Sequence, residues 1–426
     1  ATEKLNLLLS SPGEKLDVFQ ADWTQYADAA LPLNDLLQKF GPNIVKAWPK
    51  ESWARVTDAK GNIMGIPRQA ILAPYPVFFR TDLLKKLNLA MPKTVDEFEA
   101  FLKAHKASDP EAIPLITNLA GIRMGFAAAF TEFGQSNWKD ASGKLMPAET
   151  QPGYKDMVAK LADWYSKGYI NKDVLGETDL NKLRNVLKTQ KVGATMAWYS
   201  TVTLGLPAVQ QVNADVQMAA LTAMTGPKGK AQTIDAVNAN TAVLLSKRAG
   251  NPEAIIKFID WQYADLKNHL TADRGVEGKD WSFVTNAEVV KDLAPGTKLI
   301  KAATYAETGY IGEGVLSLGI PLEKQYILLD AQGMATQHSK YLNGTISDIS
   351  VGKLPVDASI SYDGRAVRKI FANLGDFDRL RDEELIKFIN GSRPISDWDK
   401  YMTELKAAGL DLWSEAYTTL FKAQAK

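Results

Sequence analysis

The chain has 426 residues, and at ~150 residues per domain this length predicts two or three domains. Its 50 Lys and Arg balance 49 Asp and Glu to a net charge of +1, which argues against a nucleic-acid-binding protein because such proteins need a basic field. Cysteine is absent, which excludes disulfides, thiolate nucleophiles and cysteine-ligated metals, while 46% hydrophobic residues can build a core in each domain.

Strand-like segments alternate with amphipathic helices along the chain, which predicts an α/β fold with mostly parallel sheets. The strands that matter most for function are predicted at residues 16–19, 71–79, 193–198 and 236–245, all rich in apolar and β-branched side chains. No long linker separates the segments, so we expect the chain to cross between its domains several times.

Three helices have clear start signals. Thr94 with Glu97 three residues later has the pattern of a capping box, and Asn251, followed by a proline, is typical of an N-cap. Ser396 is predicted to cap a later helix that ends at Gly409.

Catalytic signatures are scarce in this sequence. The histidines, His105, His269 and His338, are too far apart to form a metal-binding pair, and no GxSxG motif of a serine hydrolase is present. A glycoside hydrolase needs only two facing carboxylates, which 49 acidic residues could supply, although no pattern marks such a pair. The sequence motifs therefore give no support for an enzyme, although a facing pair of carboxylates stays possible.

Aromatic residues follow two of the predicted strands. One strand ends at Trp198, with Tyr199 next to it. The strand at 16–19 leads into a segment that contains Gln20, Asp22 and Trp23. Ligands of open α/β sheets bind at the carboxyl ends of the strands, so these residues are candidate ligand contacts. The alternative, that the indoles fill hydrophobic cores, stays open at this point.

A series of segments resembles the extracellular solute-binding proteins of sugar-type ABC importers, and among them the large oligosaccharide-binding lipoproteins. In chain order they are ALPLNDLL at 30–37, GNIMGIPR at 61–68, Tyr75 followed by FFRTDLLKKL at 78–87, MPKTVDEF at 91–98, GATMAW at 193–198, GVEGKDW at 275–281 and WDKYMTELKAAG at 398–409. No single segment is decisive, but their order and their spread over nearly the whole chain are specific.

The resemblance implies a two-lobed periplasmic-binding-protein-like fold of type II, with hinge strands between the lobes and a ligand cleft that closes on binding. The first lobe would comprise residues 1–77 and 237–305, and the second lobe residues 78–236 and 306–426. The resemblance implies a shortened first lobe, because the family begins with a strand, a helix and a second strand that have no match in this sequence. We therefore expect the natural protein to extend before Ala1 by several tens of residues, including an export leader and a lipid-modified cysteine.

The resemblance also assigns a carbohydrate site. Asp22 and Trp23 match the first-lobe loop that touches sugar, Trp198 matches an aromatic residue that stacks on a sugar ring, and Tyr310 resembles another cleft aromatic. Trp281, in the GVEGKDW segment, is a further candidate. Planar polar groups would bind the hydroxyl rim of the sugar, and those beside the predicted hinge are Arg68, Gln69, Asn238 and Asn240. For the two asparagines, capping of strand ends is an equally good interpretation.

The implied function is to capture a carbohydrate outside the cell and to deliver it to the permease of an ABC transporter. The expected carbohydrate is an oligosaccharide. The expected protein is a monomer, held at the cell surface by lipid or present in the periplasm, with no enzymatic activity and no cofactor. The alternative is a secreted polysaccharide-active enzyme, a glycoside hydrolase or lyase on another fold, and a receptor for a non-sugar solute is a third hypothesis. Relatives carry an Asp/Asn-rich calcium loop where this chain has residues 108–115, in which only Asp109 and Glu111 are acidic, so no metal is expected.

Overall fold

The structure is a computed structural model that describes residues 2–11, 13–68, 75–221, 224–229, 240–285, 296–303, 320–329, 335–336, 339, 341, 356–357 and 360–424. Its helices are α1 (Thr2–Ser10), α2 (Trp23–Tyr26), α3 (Asn34–Phe40), α4 (Pro42–Ala47), α5 (Lys50–Arg55), α6 (Thr81–Lys86), α7 (Val95–Ser108), α8 (Leu119–Gly125), α9 (Tyr154–Ser166), α10 (Leu180–Leu187), α11 (Ser200–Thr203), α12 (Leu206–Gln210), α13 (Pro252–Ala264), α14 (Leu266–Arg274), α15 (Ile320–Glu323), α16 (Gly364–Ile370), α17 (Leu374–Asn390), α18 (Trp398–Ala407) and α19 (Leu410–Gln424). Its strands are β1 (Val18–Asp22), β2 (Ile66–Pro67), β3 (Val77–Arg80), β4 (Ile113–Thr117), β5 (Trp138–Lys139), β6 (Leu145–Met146), β7 (Val192–Met196), β8 (Met218–Ala220), β9 (Thr241–Leu245), β10 (Trp281–Val284), β11 (Lys298–Ala302) and β12 (Tyr326–Leu329).

The first lobe is built on an antiparallel sheet whose described strands have the order β1-β9-β2. Successive side chains of a strand point to opposite faces of the sheet, and both faces of the central strand β9 are covered by a core. Val243 and Leu245 pack into one core with helices α3, α4 and α13, whereas Ala242 and Leu244 pack into a second core with Phe19. β1 lies at one end of the described sheet, and the expected extension before Ala1 stays a prediction.

A small sheet with the order β10-β11-β12 continues the first lobe, and it corrects the predicted boundary at residue 305. β12 pairs in parallel with β11, and Leu322 of the preceding helix α15 packs into the core beside Ile256 and Ile259 of α13. Residues 320–329 therefore pack against the first lobe, because β12 pairs with β11 and Leu322 contributes to the core beneath β9.

The second lobe contains a sheet whose described strands have the order β4-β7-β3-β8. β4 and β7 are parallel, whereas β3 is antiparallel to both of its neighbours. Helices α7 and α9 cover one face through an aromatic cluster in which the rings of Phe79 and Phe98 lie 4.9 Å apart and those of Phe98 and Trp164 lie 5.2 Å apart. Helices α16–α19 pack against this core, and Val367, Phe388, Tyr401 and Trp413 are among their buried residues.

The prediction of mostly parallel sheets is wrong, since most described strand pairs are antiparallel. The reason is the repeated passage of the chain between the lobes. β3 and β9 start where the chain arrives from the other lobe, so they run against neighbours such as β7 and β1, which end at that edge.

Local helix signals were read correctly in two of the three places. Thr94 and Glu97 form a complete capping box at the start of α7, and the Asn251 side chain accepts a hydrogen bond from the N–H of Ala254 at the start of α13. Ser396 is not an N-cap: it lies within a 3₁₀ turn (Ile395–Asp397), and α18 begins after it. Among the described helices, none is both long and apolar enough to cross a membrane.

Candidate functional site

The first lobe presents one edge of its sheet to the second lobe. Asp22 ends β1 and pairs with Thr241 at the start of β9, and Pro67 ends β2 and pairs with Ala242. The register therefore brings Asp22, Arg68 and Asn240 to the same edge, as the resemblance implied. The chain passes to the second lobe from this edge, after β2, and returns to it before β9.

Asp22 has a local structural role at this edge. Its Oδ1 atom accepts hydrogen bonds from the backbone N–H of Thr24 at 3.0 Å and from the Thr24 hydroxyl at 2.7 Å. These bonds satisfy an N–H at the start of the short helix α2. Gln20, two residues earlier in β1, is half-buried and pairs with Val243.

Trp23 does not offer an open face, which corrects the expectation that it stacks on a ligand. Its side chain is only 5% exposed and packs with Phe19, Val56 and Met64. The indole Nε1 donates a hydrogen bond to the carbonyl oxygen of Arg55 at 2.8 Å. With its faces packed and its polar atom satisfied, the indole is a core group of the first lobe.

Asn240 binds a residue of the second lobe. Its Oδ1 accepts a hydrogen bond at 3.0 Å from the hydroxyl of Ser361, whose single proton is shared between this oxygen and the carbonyl oxygen of Arg55. The Arg55 guanidinium donates in turn to the carbonyl oxygens of Asp357 and Ile360. We call these three residues, Arg55, Asn240 and Ser361, the interlobe clasp. Sequence reasoning missed the clasp because a serine and an arginine in separate segments form no motif.

Trp198 supplies the aromatic surface of the second lobe. β7 ends at Met196, which pairs with Val77 at the start of β3, so Trp198 and Tyr75 come to the same edge. Their ring centroids lie 5.4 Å apart at an angle of 83°, an edge-to-face contact that holds the indole from one side. Trp198 is partly exposed, in contrast to Trp23, and its position at a strand end agrees with the sequence-based expectation.

Tyr199 lies behind Trp198 and is 8% exposed. Its ring stacks on Tyr341 with centroids 4.8 Å apart and 11° between the ring planes. Burial and the neighbouring Glu323 carboxylate raise the pKa of the Tyr199 phenol, while Arg68 acts in the opposite direction. Tyr199 is therefore a buried residue that supports the Trp198 loop, and the charged groups of Glu323 and Arg68 lie close to it.

The carboxyl group of Glu323 has an unusually high pKa. Burial raises its pKa to about 7, the nearby Asp273 carboxylate adds to the effect, and Arg274 and Arg68 oppose it. A carboxyl group that titrates near neutral pH was not predicted, since nothing in the local sequence distinguishes Glu323 from other acids.

Trp281 is also a core residue, which corrects its assignment to the site. It is 2% exposed and packs against Leu270, Ile300 and Tyr326, and its Nε1 donates to the Gly275 carbonyl oxygen at 2.9 Å. The GVEGKDW segment is therefore a closed turn around its own tryptophan. Three other predicted contacts, Gln69, Asn238 and Tyr310, lie outside the described residues.

A cavity of about 480 Å³ lies between the lobes, beside the Asp22 loop. The first lobe lines it with Asn6, Asp22, Thr24, Gln25 and Tyr26, and the second lobe lines it with Tyr362, Gly364, Arg365 and Arg368. This volume is within the range of small-molecule sites, and its walls are mainly polar. The cavity and the Trp198 surface have no lining residue in common.

Within the described part of the chain, no group of three or more His, Asp or Glu residues could hold a metal ion. In the loop at 108–115, Asp109 accepts a hydrogen bond from the N–H of Glu111, and Glu111 pairs with Lys191. The absence of a metal stays a prediction, which EDTA treatment followed by thermal melting would test.

The chain resembles known solute-binding proteins in sequence. The family model described as bacterial extracellular solute-binding protein matches residues 1–265. Among curated proteins, the chain is 27% identical over 299 residues to a fructooligosaccharide ABC transporter substrate-binding protein, FusA, of Streptococcus pneumoniae, covering 62% of this chain and 54% of that protein. It is 24% identical over 384 residues to the polygalacturonan/rhamnogalacturonan-binding protein YtcQ of Bacillus subtilis, covering 86% and 71%. The chain thus spans about half the length of FusA.

Solved structures share the fold over almost the whole chain. The N-glycan transport solute binding protein NgtS of Streptococcus pneumoniae superposes with a TM-score of 0.69 and 16% identity, covering 99% of this chain and 89% of that one. The alginate-binding protein AlgQ2 superposes with a TM-score of 0.65 and 20% identity, covering 100% and 89%. These likenesses confirm the predicted two-lobed α/β architecture.

Proposed function

The chain belongs to the bacterial extracellular solute-binding proteins, and from this premise we propose that it captures an oligosaccharide in the cleft between its lobes. This is a family of binding proteins and not of enzymes, which agrees with the scarcity of catalytic motifs. The observation that carries the proposal is the partly exposed indole of Trp198, held edge-on by Tyr75 at the sheet edge that faces the first lobe.

A pyranose or furanose ring suits such a surface. The C–H face of the sugar packs on an aromatic ring, while its hydroxyl groups need planar polar partners. The first lobe carries polar groups where β1 and β2 end, Asp22 and the exposed Arg68. Arg68 is close enough to Tyr199, the neighbour of Trp198, to oppose the burial-driven rise in the pKa of its phenol. The polar cavity beside Asp22 is a second, separately lined space between the lobes that could take polar parts of a ligand.

The names of the relatives support a carbohydrate over other solutes. FusA, YtcQ and NgtS are named for fructooligosaccharides, for polygalacturonan and rhamnogalacturonan, and for N-glycans, which are different classes of saccharide. We propose, on the same basis, that this protein works outside the cell as a lipid-anchored monomer and passes its ligand to the permease of an ABC transporter. We also propose two lobes, residues 1–77 with 237–305 and residues 78–236 with 306–426, except that the described residues 320–329 are placed with the first lobe because of their packing.

The test is calorimetry against a panel of fructooligosaccharides, oligogalacturonates and N-glycan fragments. We expect at least one member to bind and to be released unchanged, since an enzyme would convert it. Trp198→Ala should weaken that binding by ~1–3 kcal/mol, the loss expected for one stacking surface.

Trp261→Ala is the matched control for the loss of an indole. Trp261 is 40% exposed on α13, outside the proposed site, so its removal should leave the affinity unchanged. Equal losses in both variants, or unchanged affinity in Trp198→Ala, would refute the site. Hydrolysed or eliminated products would favour the enzyme alternative.

A further inference from the structure

The position of Trp198 depends on the helix that follows it. β7 ends two residues before Trp198, and α11 begins at Ser200, two residues after it. The start of α11 has no side-chain cap of its own, because Tyr199 makes no capping hydrogen bond. The N–H of Thr201 donates to the Trp198 carbonyl oxygen at 2.8 Å, which ties the loop to α11, so the contacts that hold Ser200 help to fix the second end of the loop.

Arg184 of helix α10 holds Ser200. Its Nη2 atom donates to the Ser200 hydroxyl at 2.9 Å, and its Nε atom donates to the Ser200 carbonyl oxygen at 3.2 Å. A third bond, from Nη1 to Oδ1 of Asn181 at 2.8 Å, orients the guanidinium from within the same helix. The planar guanidinium thus contacts both the side chain and the backbone of one residue, a geometry that lysine cannot reproduce.

Helix α10, which carries Arg184, is itself held in a hydrophobic core. Leu183 and Leu187 of α10 are buried in the same core as Tyr199 and Val202, on either side of the Trp198 loop. Ser200 is only 7% exposed, so water cannot readily replace the guanidinium as its partner. The contact therefore ties the loop to the core of the second lobe and not to a mobile surface helix.

We propose that Arg184 is a positioning residue of the ligand site, which holds the Trp198 indole in the orientation that binds sugar. This inference rests on the proposed function, and it adds a residue that touches no ligand and acts through Ser200. Without Arg184 the loop would have to be ordered when the sugar binds, so part of the stacking energy would be lost to that ordering.

The experiment is a double-mutant cycle of Arg184→Ala and Trp198→Ala, measured by calorimetry with the panel saccharide that binds the wild-type chain most tightly. Arg184→Ala alone should weaken binding by about three- to tenfold, the effect of ordering one or two side chains. In the Trp198→Ala background the same substitution should have almost no effect, because no indole is left to position.

Two further variants separate positioning from general stability. Lys182→Ala removes a cation from the same helix, 65% exposed and paired with Glu177, and should leave binding unchanged. Arg184→Lys should recover part of the affinity through a single donor. The melting temperature of each variant, measured in parallel, shows whether the chain remains folded.

An equal loss of affinity from Arg184→Ala in both backgrounds, or no loss in the wild-type background, would overturn the positioning role while leaving the proposed function intact. If the wild-type chain binds no saccharide of the panel, the proposed function fails first, and the positioning role fails with it. A loss confined to the background that retains Trp198 supports both.

Discussion

The hydroxyl of Ser361 donates a hydrogen bond to Oδ1 of Asn240 at 3.0 Å, and this bond joins the second lobe to the first beside the point where the chain returns to β9. Ser361 is held in its own lobe by Gln424, whose Nε2 donates to the Ser361 carbonyl oxygen at 2.9 Å. On the other side, the Arg55 carbonyl oxygen that accepts from Ser361 also accepts from Trp23. The clasp therefore connects the core of the first lobe to the C-terminal helix of the second.

Loss of the clasp should change the relative positions of the lobes. In Ser361→Ala, Asn240 and Arg55 lose a buried partner, and we expect a decrease of ~1 kcal/mol in the free energy of unfolding. We also expect a larger radius of gyration in small-angle scattering of the ligand-free chain. Ser392→Ala, at an exposed turn of the second lobe, is the control and should change neither quantity. An unchanged radius of gyration would show that the clasp does not limit opening.

Gly193 in β7 leaves no room for a side chain. A Cβ atom at this position would lie 2.3 Å from Nδ1 of His105 and 3.0 Å from the backbone oxygen of Pro114. Gly193→Ala should therefore destabilise the chain by ~1–3 kcal/mol in urea unfolding, as expected for overpacking. Gly375→Ala is the contrasting variant: a Cβ atom there would meet no atom of another part of the chain within 4 Å, and alanine should stabilise helix α17 by ~0.5–1 kcal/mol. Equal effects of the two substitutions would contradict this account.

Glu323 should make stability decrease as pH rises. Its folded-state pKa of about 7 lies above the ordinary value of 4.5, so the stabilisation by the neutral form is complete below pH 4.5 and is lost as pH rises to about 7. Glu323→Gln, which stays neutral, should raise the melting temperature at pH 8 and have little effect at pH 4.5. Glu415→Gln, an exposed change on α19, should show no such dependence. An equal shift at both pH values would mean that the carboxyl group is not perturbed.

His105 should act in the opposite direction, on the acid side. Burial, with the nearby Arg80 guanidinium, lowers its pKa from 6.5 to about 4, so stability present above pH 6.5 is lost as pH falls toward 4. Between pH 7 and pH 5 this loss amounts to at most ~2 kcal/mol. His105→Gln should remove it, which flattens the plot of unfolding free energy against pH. His269, whose pKa burial also lowers to about 4, should still contribute its own acid-side slope in that variant.

The sequence by itself determined the features that depend on neighbouring residues. Thr94 and Glu97 lie three residues apart, so their capping box could be predicted, and Trp198 lies two residues after an apolar strand, so its place at a strand end could be predicted as well. The ordered family segments likewise indicated two lobes. For the capping box and the strand end, the relevant residues are within one or two helical turns of each other in sequence, where backbone geometry limits which contacts side chains can make.

Only the tertiary structure decided which of these edge residues remain open to a ligand. Trp23 and Trp198 have the same local setting, but the indole of Trp23 is covered and bonded by Arg55, 32 residues away. The partner of Asn240 is 121 residues away, and Arg184 reaches Ser200 across 16. Periodicity records which face of a strand or helix is buried but not which distant side chain arrives there, because that choice is made by packing between elements.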